Sequence, residues 1–271
     1  MGSIELPAMK TKPKIIFFTD FDGTITIKDN LDLRHGEILG DKDGSPACTD
    51  NLGYGQEKRR QGNIDVLENK ITFRDSFREM LDSVKTPFNE CIRILLENME
   101  LDPHFTAFYN WARDHNVPIV ILSSGMVPVI RALLVKLLGH EPDNIQIVAN
   151  QVASRDGKDI NSEGGWQIVY HDDSHFGHDK SLEIKPYAAL PAGERPTLLY
   201  AGDGVSDLSA ASQTDLLFAK KGRDLVTYCQ REKIPYTVFD DWSSILQTTK
   251  EIWEGKTDPK TVAAVASGAS V

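Results

Sequence analysis

The sequence predicts an α/β fold, a Rossmann-like doubly wound parallel sheet carrying an inserted helical cap. Three observations predict it. Short apolar runs of β-type residues recur along the chain, and several end in acidic or glycine-containing turns. Helical patterns lie between them, and strand–helix alternation of this kind implies an open parallel sheet covered on both faces. The alternation breaks once: about a hundred residues after the first strand show helical periodicity only.

The elements follow in order. Residues 14–19 (Lys-Ile-Ile-Phe-Phe-Thr) read as a buried parallel strand. Residues 27–100 form the cap insert, so that 1–26 and 101–255 make the core. Within the cap, 56–84 and 87–99 repeat apolar residues at helical spacing, as at Phe73, Phe77, Met80, Leu81 and Val84. A Gly/Asp/Ser/Pro-rich loop covers 41–55. The aromatics Phe105, Phe108, Tyr109 and Trp111 in 104–115 are expected to pack a helix onto the core. Strands are predicted at 118–122, 145–149, 197–201, 215–219 and 236–239. The apolar stretch 127–138 is a helix stopped by Gly139. A turn signal at 154–157 predicts a small hairpin within the irregular stretch 151–180. Shorter helices fall at 205–211 and 224–232. A closing helix at 240–253 has Asp240 or Asp241 as its N-cap. Residues 256–271, rich in small side chains, are expected to be a flexible tail.

Composition narrows the function. The chain has 271 residues and a formal charge of −10. That balance leaves little material for a nucleic-acid-binding face, and the basic run Lys58-Arg59-Arg60 reads as a solvated helix side. No apolar run is long enough to cross a bilayer, and the N-terminal stretch lacks the apolar core of a signal peptide. Cys48, Cys91 and Cys229 form neither a disulfide framework nor a zinc pattern. A cytoplasmic protein is expected. An acidic chain that handles anions must gather positive charge locally, and a bound divalent cation can supply it.

The chemistry lies at predicted strand ends, where open α/β sheets place their sites. The first strand runs into Asp20-Phe21-Asp22-Gly23-Thr24. Two carboxylates two residues apart on extended chain face the same way, and like charges so close call for a cation or a proton to manage. One can attack phosphorus; the other can protonate a leaving oxygen and then activate water. Gly23 would let backbone N–H groups approach a phosphate. The second strand ends in Ser123-Ser124-Gly125, a hydroxyl with adjacent backbone donors that can hold a phosphoryl group. The fourth predicted strand ends in Gly202-Asp203-Gly204-Val205-Ser206-Asp207. Asp203 there can meet a magnesium ion, and Asp207 can bind metal-bound water or orient a lysine. Two lysines, Lys180 and Lys185, precede that strand. Lys185 stands directly before Pro186, which reads as a helix start, where anions gather.

Asp-x-Asp-Gly-Thr, then Ser, then Lys, then Gly-Asp-Gly-x-x-x-Asp, each at a strand end, resembles the four motifs of the haloacid dehalogenase superfamily. The resemblance spans residues 14 to about 239. The insert after the first motif is similar to the cap of the phosphoserine-phosphatase-like branch. Residues 20–30 (DFDGTITIKDN), 123–126 (SSGM), Lys185-Pro186 and 212–219 (SQTDLLFA) most resemble small-metabolite phosphatases of the methionine-salvage type and their fungal polyol-phosphatase-like relatives. The resemblance implies a magnesium-dependent phosphatase acting on a small phosphorylated metabolite through an aspartyl phosphate. It implies that Asp20 is nucleophile and metal ligand, and that Asp22 is general acid/base and lends its carbonyl to the metal. Asp203 then completes the metal site with Asp207 in support. Ser123, Ser124, Gly125, Gly23, Thr24 and Lys185 surround the phosphoryl group. The spacing of phosphoserine phosphatases favours Lys180 instead of Lys185.

Some positions depart from the phosphoserine pattern. Asp29 stands where those enzymes carry a cap Glu, beside Asn30, and Met80 stands where they carry an Arg that meets the substrate carboxylate. These residues, with His178, are the candidates for substrate specificity. A polyol or sugar-alcohol phosphate is favoured over phosphoserine. The His171–Asp179 stretch is rich in metal-ligand types but reads as a polar loop bordering the site. A phosphotransferase or mutase, and a non-catalytic metabolite-binding protein, are the rival readings.

Overall fold

The computed structural model describes residues 6–27 and 52–266. Asp29, Asn30, Cys48 and most of the 41–55 loop therefore lie outside the described residues. Among the described residues, seven strands form one sheet in the order β4-β3-β2-β1-β5-β6-β7. They are β1 (Ile15–Thr19), β2 (Ile119–Met126), β3 (Ile145–Ser154), β4 (Trp166–Val169), β5 (Thr197–Gly202), β6 (Leu216–Lys220) and β7 (Thr237–Phe239). All neighbours pair in parallel except β4, which runs antiparallel to β3. The chain builds outward from β1 to β3, then returns to the other side of β1 with β5. The tip of β1 is thus the switch point of the sheet, where a crevice opens.

Side chains alternate along each strand and feed two separate cores. Ile15 and Phe17 of β1, Ile119 and Ile121 of β2, and Leu199 and Ala201 of β5 face one side. Ile16 and Phe18, Val120 and Leu122, and Leu198 and Tyr200 face the other. The first side is covered by α4 (Phe105–Asp114), α5 (Val127–Leu138) and α9 (Trp242–Trp253). Phe105, Phe108 and Tyr109 are fully buried there, as core packing requires. Trp242 packs edge-on to Phe105 and against Phe17 and Phe108 at 4.7–5.6 Å between ring centroids. The second side is covered by α6 (Lys180–Ala188), the short α7 (Leu208–Ala211) and α8 (Asp224–Glu232). Gly139 ends α5 in the left-handed conformation, and Asp241 caps α9 by accepting from the Ser243 N–H.

Thr26 and Leu101, at the two ends of the predicted insert, form an antiparallel bridge. Its helices α1 (Gln56–Leu67), α2 (Phe73–Asp82) and α3 (Phe88–Asn98) do not stand apart from the sheet. Phe77, Met80, Leu81, Val84, Phe88, Cys91 and Leu95 belong to the same hydrophobic cluster as the first face of the core. The β3–β4 hairpin is the second support. Trp166 Nε1 donates to the Thr86 carbonyl at 2.9 Å, Gly164 N–H to Lys85, and Phe88 N–H to Ile160. Arg155 pairs with Asp82. The hairpin expected near 154–157 is longer than predicted, because β3 runs straight on to Ser154 and forms its first arm. Instead of a loose tail after Gly255, α10 (Pro259–Ala266) follows and buries Ala263.

Candidate active site

Asp20 follows β1 directly and is 7% exposed. Its backbone N–H donates to the Ala201 carbonyl at 2.8 Å, which ties the tip of β1 to β5. The chain then turns sharply. Ile25 and Thr26 donate back to the Phe21 carbonyl, and Gly23 sits at φ +72°, where a side chain would strain the turn. The Gly23 N–H donates to Thr26 Oγ1 at 2.8 Å. Thr24 is fully buried and its carbonyl accepts from Trp242 Nε1 at 2.9 Å. The Gly23 N–H is thus engaged inside the turn, while the buried Thr24 hydroxyl has no hydrogen-bond partner among the described residues. The α9 tryptophan thus buttresses the loop that aims Asp20 and Asp22.

The tip of β2 stands beside it. Ser123 is 1% exposed, and its Oγ accepts from the Gly125 N–H at 3.0 Å. A methyl group placed on Gly125 would come within 3.2 Å of Ser123 Oγ and 3.4 Å of Asp22 Oδ2, so these three residues meet closely. The strand register shifts between Ser123 and Met126, a bulge that re-aims this tip. Asn150 holds it in place. Fully buried, it donates to the Ser124 carbonyl at 2.7 Å and accepts from the His171 N–H at 2.9 Å. Nothing in the sequence reading singled out Asn150; a lone amide at the end of an apolar strand was its only signal.

The loop after β5 supplies the remaining acids. Carboxylate oxygens of Asp20, Asp203 and Asp207 lie within 4.8 Å of one another. Asp207 is fully buried and saturated. Its Oδ2 accepts from the backbone N–H groups of Asp203 and Gly204 at 2.9 and 3.0 Å. Its Oδ1 accepts from Lys180 Nζ at 2.7 Å and from the Tyr200 hydroxyl at 2.6 Å. A carboxylate has about four acceptor positions, and all are used. Asp207 thus anchors the lysine and the Asp203 turn, and it is also one of the three acids whose oxygens could hold a metal ion. Gly202 is required beside it, since a methyl group there would fall 2.5 Å from Asp207 Oδ2. Arg223 lies 4.0 Å from Asp203.

The lysine at the site is Lys180, not Lys185. Lys180 is 1% exposed and its Nζ lies 3.0 Å from Asp20 Oδ1, whereas Lys185 is exposed. The reason is where α6 starts. Asp179 is its N-cap, accepting from the Ser181 N–H, so Lys180 is the first helical residue. Five residues on, at 100° per residue, Lys185 points about 140° away. Pro186, read as a helix start, lies near the helix end.

Electrostatics follow from burial. Burial pushes the Asp20 carboxyl up to about 8; Lys180 opposes this, and Asp207 and Asp22 add to it. Burial disfavours the Lys180 charge, but Asp20 and Asp207 outweigh it and hold the ammonium above its ordinary range. His178, 1% exposed, has no hydrogen-bond partner on either ring nitrogen among the described residues. Burial first, then Lys180 and His171, pushes it down to about 3, so it is a neutral imidazole packed against His171. Met80 is a core residue at 5% exposure, packed in the first hydrophobic cluster. The loop 172–179 is fastened to α2: Arg74 N–H donates to His175, and Tyr170 hydroxyl to the Arg74 carbonyl.

A donor set of hard carboxylate oxygens in a buried, charge-strained cluster fits magnesium. Asp20, Asp203 and Asp207 would hold it.

The family described as haloacid dehalogenase-like hydrolase matches residues 17–212. The chain is 46% identical over 246 residues to Pdp3-interacting factor 1 of Schizosaccharomyces pombe, covering 90% of this chain and 99% of that one. It is 45% identical over 257 residues to polyol phosphate phosphatase PYP1 of Saccharomyces cerevisiae, covering 92% and 97%. It is 26% identical over 240 residues to a 2-hydroxy-3-keto-5-methylthiopentenyl-1-phosphate phosphatase of Bacillus cereus, covering 88% and 97%. Among solved structures, a phosphoserine phosphatase carrying a phospho-aspartyl intermediate analogue superposes with a TM-score of 0.58 at 16% identity. It covers 87% of this chain and 98% of that one, a likeness of fold.

Proposed function

The chain belongs to the haloacid dehalogenase-like hydrolases, and on that premise we propose that it is a magnesium-dependent phosphatase that hydrolyses a small polyol or sugar-alcohol phosphate through a phosphorylated Asp20. The observation that carries the proposal is the meeting of Asp20 with Lys180 at 3.0 Å, with Asp22 two residues on and Ser123 beside it. The substrate class rests on 45% identity to a protein named a polyol phosphate phosphatase.

In this mechanism the Asp20 carboxylate attacks phosphorus and the phosphorus–oxygen bond to the alcohol breaks. Asp22, protonated at the start, gives its proton to the leaving alkoxide. The Asp22 carboxylate then takes a proton from water, which attacks the phosphorus of the aspartyl phosphate. The bond to Asp20 breaks, inorganic phosphate leaves, and Asp22 is protonated again. Lys180 and the Ser123 hydroxyl balance and orient the phosphoryl oxygens. Asp20, Asp203 and Asp207 would hold a magnesium ion, which would supply further charge neutralisation when bound. The free, buried thiol of Cys229 suits a reducing, cytoplasmic setting. No helix among the described residues is long and apolar enough to cross a membrane.

The test is phosphate release from glycerol, erythritol, ribitol and sorbitol phosphates against phosphoserine, with magnesium present. A polyol phosphate giving the highest kcat/KM supports the reading; phosphoserine clearly best refutes the substrate class.

A further inference from the structure

Tyr200 is a buried titratable group that the mechanism above leaves unused. Alternation along β5 turns it to the face covered by α6 and α7, and it is fully buried there beside Phe18 of β1. Its hydroxyl donates to Asp207 Oδ1 at 2.6 Å. The same oxygen accepts from Lys180 Nζ at 2.7 Å, and Lys180 also reaches Asp20 Oδ1 at 3.0 Å. The other oxygen of Asp207 is held by the Asp203 and Gly204 N–H groups, so the carboxylate cannot turn to offer a fresh lone pair. Two donors on one oxygen divide its electron density, and each bond weakens the other's hold.

We propose that Tyr200 is a positioning residue that moderates the grip of Asp207 on Lys180 and so leaves the ammonium free to serve Asp20 and the phosphoryl group. With the hydroxyl removed, Asp207 Oδ1 has one donor in place of two. It then binds Lys180 harder and draws it back from the strand tips. Tyr200 touches neither substrate nor metal in this account; it acts through Asp207.

The inference rests on the phosphatase reading, and the experiment separates the two. Inorganic phosphate binding, measured by calorimetry on the full chain with magnesium, is compared for wild type and Tyr200→Phe beside turnover of p-nitrophenyl phosphate and a thermal melt. The expected result is phosphate affinity weakened about fivefold or more and kcat lowered about tenfold. A purely structural tyrosine would lower Tm and leave phosphate affinity unchanged, and that result overturns the proposal. Should Tyr200→Phe not fold, 3-fluorotyrosine placed at position 200 keeps the shape and strengthens the donor. It should tighten phosphate binding about twofold; no change or weaker binding overturns the proposal. Absent turnover by wild type would count against the phosphatase reading, while the phosphate-binding comparison would still decide the role of Tyr200.

Discussion

The Lys180 ammonium sits 3.0 Å from the Asp20 carboxylate, and both side chains are buried. No other lysine is placed to neutralise Asp20 among the described residues, since Lys185 points outward from α6. Lys180→Met should lower kcat/KM by roughly a hundredfold or more. Lys185→Ala should stay within about twofold of wild type. Steady-state kinetics on one phosphate ester decide between them, and a reversed order would reject the assignment.

Magnesium must displace a proton to be held by Asp20. Burial raises that carboxyl to about 8, so below this pH proton and metal compete. Apparent magnesium affinity should therefore rise as pH goes from 6 to 8, by at most about tenfold per unit. Titration calorimetry measures it without any substrate. Asp203→Asn should lose most of the magnesium-induced rise in Tm, and a full rise in that variant would contradict the site.

His178 makes the fold acid-sensitive. Its folded value is pushed down to about 3 from 6.5, so between those values the unfolded chain binds a proton that the folded chain excludes. Stability is therefore present above pH 6.5 and is lost as pH falls, by at most about 1.4 kcal/mol per pH unit. Lys180 and His171 add to the exclusion, while Asp172 and Asp179 oppose it. His178→Gln should flatten denaturant-derived stability between pH 6 and 4; an unchanged slope would show that the imidazole is protonated in place.

Asn150 links the β2 tip to the loop that leads to Lys180. Asn150→Ala leaves the part-buried Ser124 carbonyl and His171 N–H without that partner, a cost of about 1 kcal/mol. Activity should fall more than the loss of folded protein accounts for, because Ser123 and His171 are both set by this amide. A variant with lower Tm but wild-type kcat and KM would make Asn150 a stability residue alone.

What the sequence made legible was local. Asp20 and Asp22 follow an apolar strand within a few residues, so strand, turn and paired acids read together. Asp203 and Asp207 read the same way after β5, although the saturation of Asp207 did not, because its donors Lys180 and Tyr200 come from other elements. Lys185 misled because Pro186 imitates a helix start, while the true cap, Asp179, is one polar residue among many in 171–179. Asn150 was hidden by the extension of β3 past Ala149 into a hairpin whose partner strand begins at Trp166. Met80 has the spacing of a cap position, but spacing alone does not say which face looks inward. Helices α2 and α3 share one hydrophobic cluster with the core, a long-range fact no local pattern carries.

The central claim is that Asp20 is the nucleophile. Its most direct measurement is turnover of the best polyol phosphate by Asp20→Asn beside wild type, with magnesium, on samples shown by thermal melt to be folded. The amide has nearly the same shape and is a poor nucleophile. The account predicts a loss of about a thousandfold or more in kcat with Tm close to wild type. Turnover by Asp20→Asn within tenfold of wild type would contradict it.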